Sequence, residues 1–234
     1  MRLITLAALA GLASLAACVE VTVAPQSTSP AAPAPQTPSS SALASFRAVA
    51  ARVEPVAEAE CRSRTRGGNC DFDIIIDTRP DLPANAYQTL DRYGRPVLAF
   101  TTAMLGDLRN EDEIAFVLSH EAAHHIEGHI PRSQQNAMLG ALVATGLAAA
   151  AGAEANTIRA AQDLGAQAAV LNFSRGYELD ADRLGTVIAK RAGYDPVNGA
   201  AFFTRIPDPR NRFLASHPPN GERITAVRNV ARGL

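Results

Sequence analysis

The segment EDEIAFVLSHEAAHHIEGHI, residues 111–130, sets two histidines four apart within an otherwise apolar run. Asn110 can cap a helix at this point, with Glu113 three residues later as its capping-box partner. Ile114, Phe116, Val117, Leu118 and Ile126 imply that the helix is substantially buried, and the pattern predicts that it runs on to Pro131. A spacing of four puts His120 and His124 on one face, one turn apart, where both can hold the same zinc ion. Glu121, in the HExxH position, is offset so that it addresses a water on that ion and not the ion itself.

Two histidines make neither a structural nor a catalytic zinc site, so a third ligand must come from elsewhere in the chain. One solution places glycine and histidine seven and ten residues after the first histidine; Glu127 and Ile130 stand there instead. The other solution is a glutamate on a later helix. Tyr177-Glu178-Leu179-Asp180-Ala181-Asp182 supplies one, with Glu178 and Asp182 four apart on a common face. Glu178 could complete the zinc shell while Asp182 orients a zinc histidine through its outer ring nitrogen. His125 points about 100° away from His124 and reads as a packing or surface residue, with a second metal shared by His125 and His129 as the sharper alternative.

HEAAHHIEGH (120–129), FSRGYELDADRLG (173–185), AGYDP (192–196) and SHPPNGERI (216–224) occur in that order. Together they resemble the zinc metallopeptidase family of HtpX and the CAAX prenyl endopeptidase, and more narrowly its soluble periplasmic and lipoprotein, BepA-like branch. The resemblance implies an α+β fold: a mostly helical zincin-like metalloprotease domain of gluzincin type, with a small β-sheet beside the HExxH helix. It implies one Zn2+ per chain on His120, His124 and Glu178, with Glu121 as catalytic base. Asp182 matches the family aspartate, and His129 matches a recurrent non-ligand histidine of the active helix. His217 lies in the loop that the family brings near zinc. It either stabilises the oxyanion or occupies the open zinc position and holds the enzyme latent. Leu179 and Asp180 depart from the branch pattern, but neither is a ligand position.

Upstream, MRLITLAALAGLASLAA (1–17) has one arginine followed by an apolar stretch too short to span a membrane. Leu15-Ala16-Ala17-Cys18 resembles a bacterial lipobox, which predicts cleavage before Cys18 and its acylation. Val19, where aspartate often marks inner-membrane retention, favours the outer membrane, with the domain facing the periplasm. Residues 18–43, rich in proline, serine and alanine, read as a tether, and 44–234 as the peptidase domain. Cys61 and Cys70 bracket a short polar loop and should pair in an exported protein; closing that loop stabilises the fold by roughly 2–3 kcal/mol.

Within the domain the spacing predicts a helix over 44–60 and strands at Phe72–Ile76 and Pro96–Thr102. A long helix over about 175–192 is stopped by Gly193, and helical segments follow near 196–205 and 219–231. Residues 137–171 are alanine- and glycine-rich. Glu154, Arg159 and Asp163 interrupt them, so helices outside the membrane are expected rather than a transmembrane hairpin. Substrate is expected to lie extended along the strand near Pro96–Thr102.

The chain has 234 residues, 47% hydrophobic and 19% charged, with formal net charge −1. That suffices for one ordinary core and excludes a disordered or fibrous chain. The near-neutral balance argues against nucleic acid as a partner, which would need a basic surplus. The pattern leads to a zinc endopeptidase of the bacterial cell envelope, acting on unfolded or misassembled envelope proteins, with the outer-membrane assembly machinery as a partner. The alternative is a zinc-stabilised, largely latent binding or assembly factor at the outer membrane.

Overall fold

In the computed structural model, residues 38–207 and 218–234 are described. The expected leader, Cys18, the part of the expected tether up to residue 37, and His217 lie outside the described residues.

Helix α3 (Glu111–Ile126) is the element around which the rest is arranged. Asn110 caps it, its side chain accepting from the Glu113 amide. Most of its residues are buried on every side, among them Ile114, Phe116, Leu118 and Ala122, which fits its apolar composition. Helix α1 (Ser40–Arg64) lays Phe46, Val49, Val53 and Ala57 into the same core. It starts four residues before the expected 44 because Ser39 provides the cap, accepting from the Ala42 amide. A disulfide joins Cys61, near the end of α1, to Cys70 just before the sheet.

The sheet has three strands, β1 (Asp73–Asp77), β2 (Ala86–Leu90) and β3 (Pro96–Thr101), in the order β1-β3-β2. β1 runs parallel to β3 and β2 antiparallel to it. All six residues of β3 are buried, as a central strand requires, and Phe100 packs on Phe46 with ring centroids 5.0 Å apart. This placement corrects the expectation for substrate: β3 is bonded on both sides, so Pro96–Thr101 presents no free edge. β2 is the edge strand on that side of the sheet. Thr101 ends β3 by accepting from the Met104 amide and starting the short helix α2 (Thr102–Asp107).

The histidine helix does not run to Pro131. It stops at Glu127, Gly128 takes φ +66°, and α4 (His129–Ala150) begins at once. Pro131 therefore sits in the first turn of α4, where its missing N–H would have had no intrahelical partner. His129 accordingly belongs to α4, not to the active helix. Helix α5 (Ala155–Arg191) is one continuous element of 37 residues, not a weak helix followed by a separate one. α4 and α5 form a hairpin in which Gly140 and Gly165 lie backbone to backbone; a Cβ on either would overlap the other's carbonyl.

The outward side of α4 exposes Met138, Leu139, Leu142, Val143 and Leu147. Among the described residues no helix is long and apolar enough to cross a membrane. Gly193, at φ +88°, stops α5. α6 (Pro196–Gly199), a 3-10 turn over Ala200–Thr204 and α7 (Asn220–Ala231) close the domain against α3 and α5. The architecture is the expected mostly helical α+β fold with a small sheet beside the active helix.

Candidate active site

The site forms where α5 crosses α3. Gly185 makes the crossing possible, because a Cβ there would come within 3.0 Å of the His120 amide nitrogen. One and two turns earlier on α5, Asp182 and Glu178 face the two histidines. His120 Nε2 lies 3.0 Å from His124 Nε2 and 3.4 Å from Glu178 Oε2, and His124 Nε2 lies 3.5 Å from Glu178 Oε1. One donor atom from each of the three lies within 4.8 Å of the others, and no other such cluster occurs among the described residues. In particular, His125 and His129 form no second centre: the His125 Nε2–H donates to the Asn69 carbonyl at 2.7 Å, while His129 turns to His124.

Both outer nitrogens are occupied. His120 Nδ1 meets Asp182 Oδ1 at 3.0 Å, and His124 Nδ1 meets His129 Nδ1 at 2.8 Å. The Nε2 atoms are thus left facing a common point with a carboxylate beside them. Two imidazoles and one carboxylate are the donor set that catalytic zinc takes, with a position left open. The residues present fit that ion.

Arg223, on α7, is a member of the site that sequence reading missed. It is buried, and its Nε and Nη2 grip the two oxygens of Asp182 at 2.8 and 2.7 Å. Nη2 also reaches Glu178 Oε2 at 3.3 Å, and the guanidinium lies over the Phe203 ring at 3.9 Å. A signal was present: Arg223 is one turn before Val227, on the buried face of α7. An arginine in that phase is rarely buried without a paired acid.

Electrostatics separate the groups. Burial opposes a charge on His120, but the carboxylates of Asp182 and Glu178 outweigh it and bring its pKa up to about 9 in the metal-free chain. Burial, with His120 beside it, pushes His124 down to about 3. Asp182 is held below the usual carboxylate range: burial works against this, and the hydrogen bonds from Arg223 and His120 prevail. Glu121 is almost fully buried, and burial raises it to about 7, with His120 and a backbone bond from Gln88 pulling the other way. A carboxyl poised there can take and return a proton near neutrality.

The site opens into a cleft of about 820 Å³. Glu121 lines it, and so do Ala86, Tyr87 and Gln88 of the edge strand β2. Phe202, Phe203 and Ile206 form an apolar wall.

A model of peptidase family M48 matches residues 44–231. The chain belongs to peptidase family M48. That family is one of metallopeptidases, and the resemblance read from the four motifs holds. The chain is 29% identical over 142 residues to the beta-barrel assembly-enhancing protease of Yersinia pestis, covering 53% of this chain and 28% of that protein. It is 29% identical over 138 residues to the protein of the same name from Escherichia coli O157:H7, with the same coverage of 53% and 28%. The M48 chain thus matches only 28% of the length of these relatives.

Proposed function

We propose that the chain is a zinc-dependent endopeptidase of the bacterial cell envelope that cleaves unfolded or misassembled envelope proteins. The observation that carries this reading is the convergence of His120, His124 and Glu178 on one point, with Glu121 beside it in a cleft bordered by a sheet edge. The names of the relatives, proteases that enhance β-barrel assembly, support a substrate or partner among outer-membrane proteins.

His120, His124 and Glu178 would hold the zinc, which when bound polarises a peptide carbonyl and acidifies water. The chain's own residues do the rest. An extended substrate adds to the edge strand β2 through main-chain hydrogen bonds, which reads backbone more than side chains. Glu121 takes the proton from the attacking water as the C–O bond forms. It returns that proton to the amide nitrogen as the C–N bond breaks. Asp182, fixed by Arg223, keeps His120 oriented.

The decisive comparison is between wild type and Glu121→Gln. The variant is expected to retain one zinc per chain and to lose casein cleavage by about 10²–10⁴-fold, the usual weight of a general base. Turnover at the wild-type rate by the zinc-loaded variant would overturn the assignment. Acylation at Cys18, outer-membrane placement and a role for His217 belong to the same proposal and rest on Leu15–Cys18, Val19 and the SHPP stretch. Metabolic labelling of Cys18→Ser with a fatty acid tests the anchor: label is expected on wild type only.

A further inference from the structure

His129 has no part in the chemistry above, yet it is 4% exposed and carries two nitrogens into the interior. Its ring stacks on Tyr177 at 4.5 Å with 20° between planes. Tyr177 is in turn held through its hydroxyl by the Asn136 side-chain amide at 2.6 Å. A phenylalanine would stack as well and would bury no polar atom. The bond that phenylalanine could not make is the one between His129 Nδ1 and His124 Nδ1, at 2.8 Å. The other nitrogen, Nε2, is buried and has no hydrogen-bond partner among the described residues. A buried polar atom left unpaired is costly and calls for a compensating role.

The proton assignment follows from the ligation the site would make. A histidine that binds metal through Nε2 must carry its hydrogen on Nδ1. His124 then donates, and His129 Nδ1 must accept. The hydrogen of His129 is thereby fixed on Nε2, the atom that stands without a partner. His120 is treated in parallel, its Nδ1 facing Asp182 at 3.0 Å. The two rings thus have different outer partners, one anionic and one neutral. The neutral one comes from α4, immediately after the Gly128 break.

We propose that His129 is a positioning residue: it accepts the Nδ1–H of His124 and so fixes that ring with Nε2 turned toward His120 and Glu178. The inference rests on the metal reading of the site. Groups in this position change metal affinity when removed, typically by about 10–100-fold.

The test is a chelator-competition titration of the full chain with Zn2+ alone, comparing wild type, His129→Phe and His129→Asn. His129→Phe keeps the stack on Tyr177 and is expected to bind zinc about 10–100-fold more weakly. His129→Asn places Oδ1 near the former Nδ1 and is expected to recover most of the loss. Equal affinity of His129→Phe and wild type overturns the proposal, as does an asparagine variant no better than the phenylalanine one. A wild type that binds no zinc overturns the metal reading, and this proposal with it. Should His129→Phe fail to fold, long-range proton–nitrogen spectra of zinc-loaded wild type decide the matter. Hydrogens on His124 Nδ1 and His129 Nε2 are expected; a hydrogen on His129 Nδ1 overturns the proposal.

Discussion

Gly185 on α5 rests directly against the backbone of His120 on α3, so that a Cβ at 185 would meet the His120 amide nitrogen at 3.0 Å and its Cα at 3.1 Å. The atoms it would strike are main chain in the middle of a buried helix and cannot swing aside. Gly185→Ala is therefore expected to push the two helices apart, costing about 1–3 kcal/mol in unfolding free energy. Glu178 and Asp182 ride on the same helix, so zinc affinity should fall as well. Chemical denaturation with a parallel zinc titration checks both. An alanine variant as stable and as tight as wild type would show that the crossing has slack.

Arg223 is expected to matter for folding before it matters for chemistry. It is buried against Asp182, which it grips through two bonds, and against Glu178. Arg223→Met keeps much of the volume and removes the charge, leaving two buried carboxylates with less positive charge beside them, that of His120. Breaking a buried pair in this way typically costs about 3–5 kcal/mol. Adding Asp182→Asn should return part of that loss, since the uncompensated charge disappears. Denaturant midpoints for both single variants and the double variant measure the coupling. Additive losses would mean that the two residues act independently.

The residues that converge at the site were legible because they obey a fixed period. Helical spacing of four locates His120 with His124 and Glu178 with Asp182, whatever the rest of the chain does. What spacing cannot convey is which helices cross, and that depends on a glycine whose role is tertiary. β2 was missed because five residues, AYQTL, carry too little alternation to stand out. Its partner β3 holds it in place. The break at Gly128 was missed because Pro131 looks like the end of a helix, whereas proline is equally at home in a first turn. The break also concealed the contact of His129 with His124, which follows from a new helix starting there. Arg223 was hidden by the habit of reading charge as surface.

Acid stability should depend on Asp77, at the end of β1. Its carboxylate accepts from Arg79 Nη2 at 2.6 Å and from the Tyr87 hydroxyl at 2.7 Å, tying β1 to β2. Those bonds, Arg79 first and Tyr87 next, hold the carboxyl well below the usual carboxylate range. A carboxyl lowered in the folded state contributes in full above its unfolded pKa of about 4 and loses that contribution as pH falls below it. Asp77→Asn is thus expected to be less stable than wild type at pH 7, with the difference closing below about pH 4. Thermal melts from pH 3 to 7 measure this. A gap that persists unchanged at pH 3 would show that shape, not charge, is what the asparagine loses.

The outward face of α4 should tolerate charge. Leu142 and Leu147 are each 69% exposed, on a helix that carries no acidic or basic side chain from Ser133 to its end at Ala150. A leucine so open to solvent contributes little burial to the folded state. Glutamate has nearly the same helix propensity. Surface substitutions of this kind usually stay within about 0.5 kcal/mol. Leu142→Glu with Leu147→Glu is therefore expected to leave the melting temperature close to wild type. It should also reduce binding of an apolar dye, because it divides a contiguous apolar patch. The base of the hairpin, where Asn136 and Tyr177 meet, is untouched, so zinc affinity should not change. A drop in unfolding free energy above about 2 kcal/mol would lie far outside the surface range and show that these leucines are covered in the folded protein.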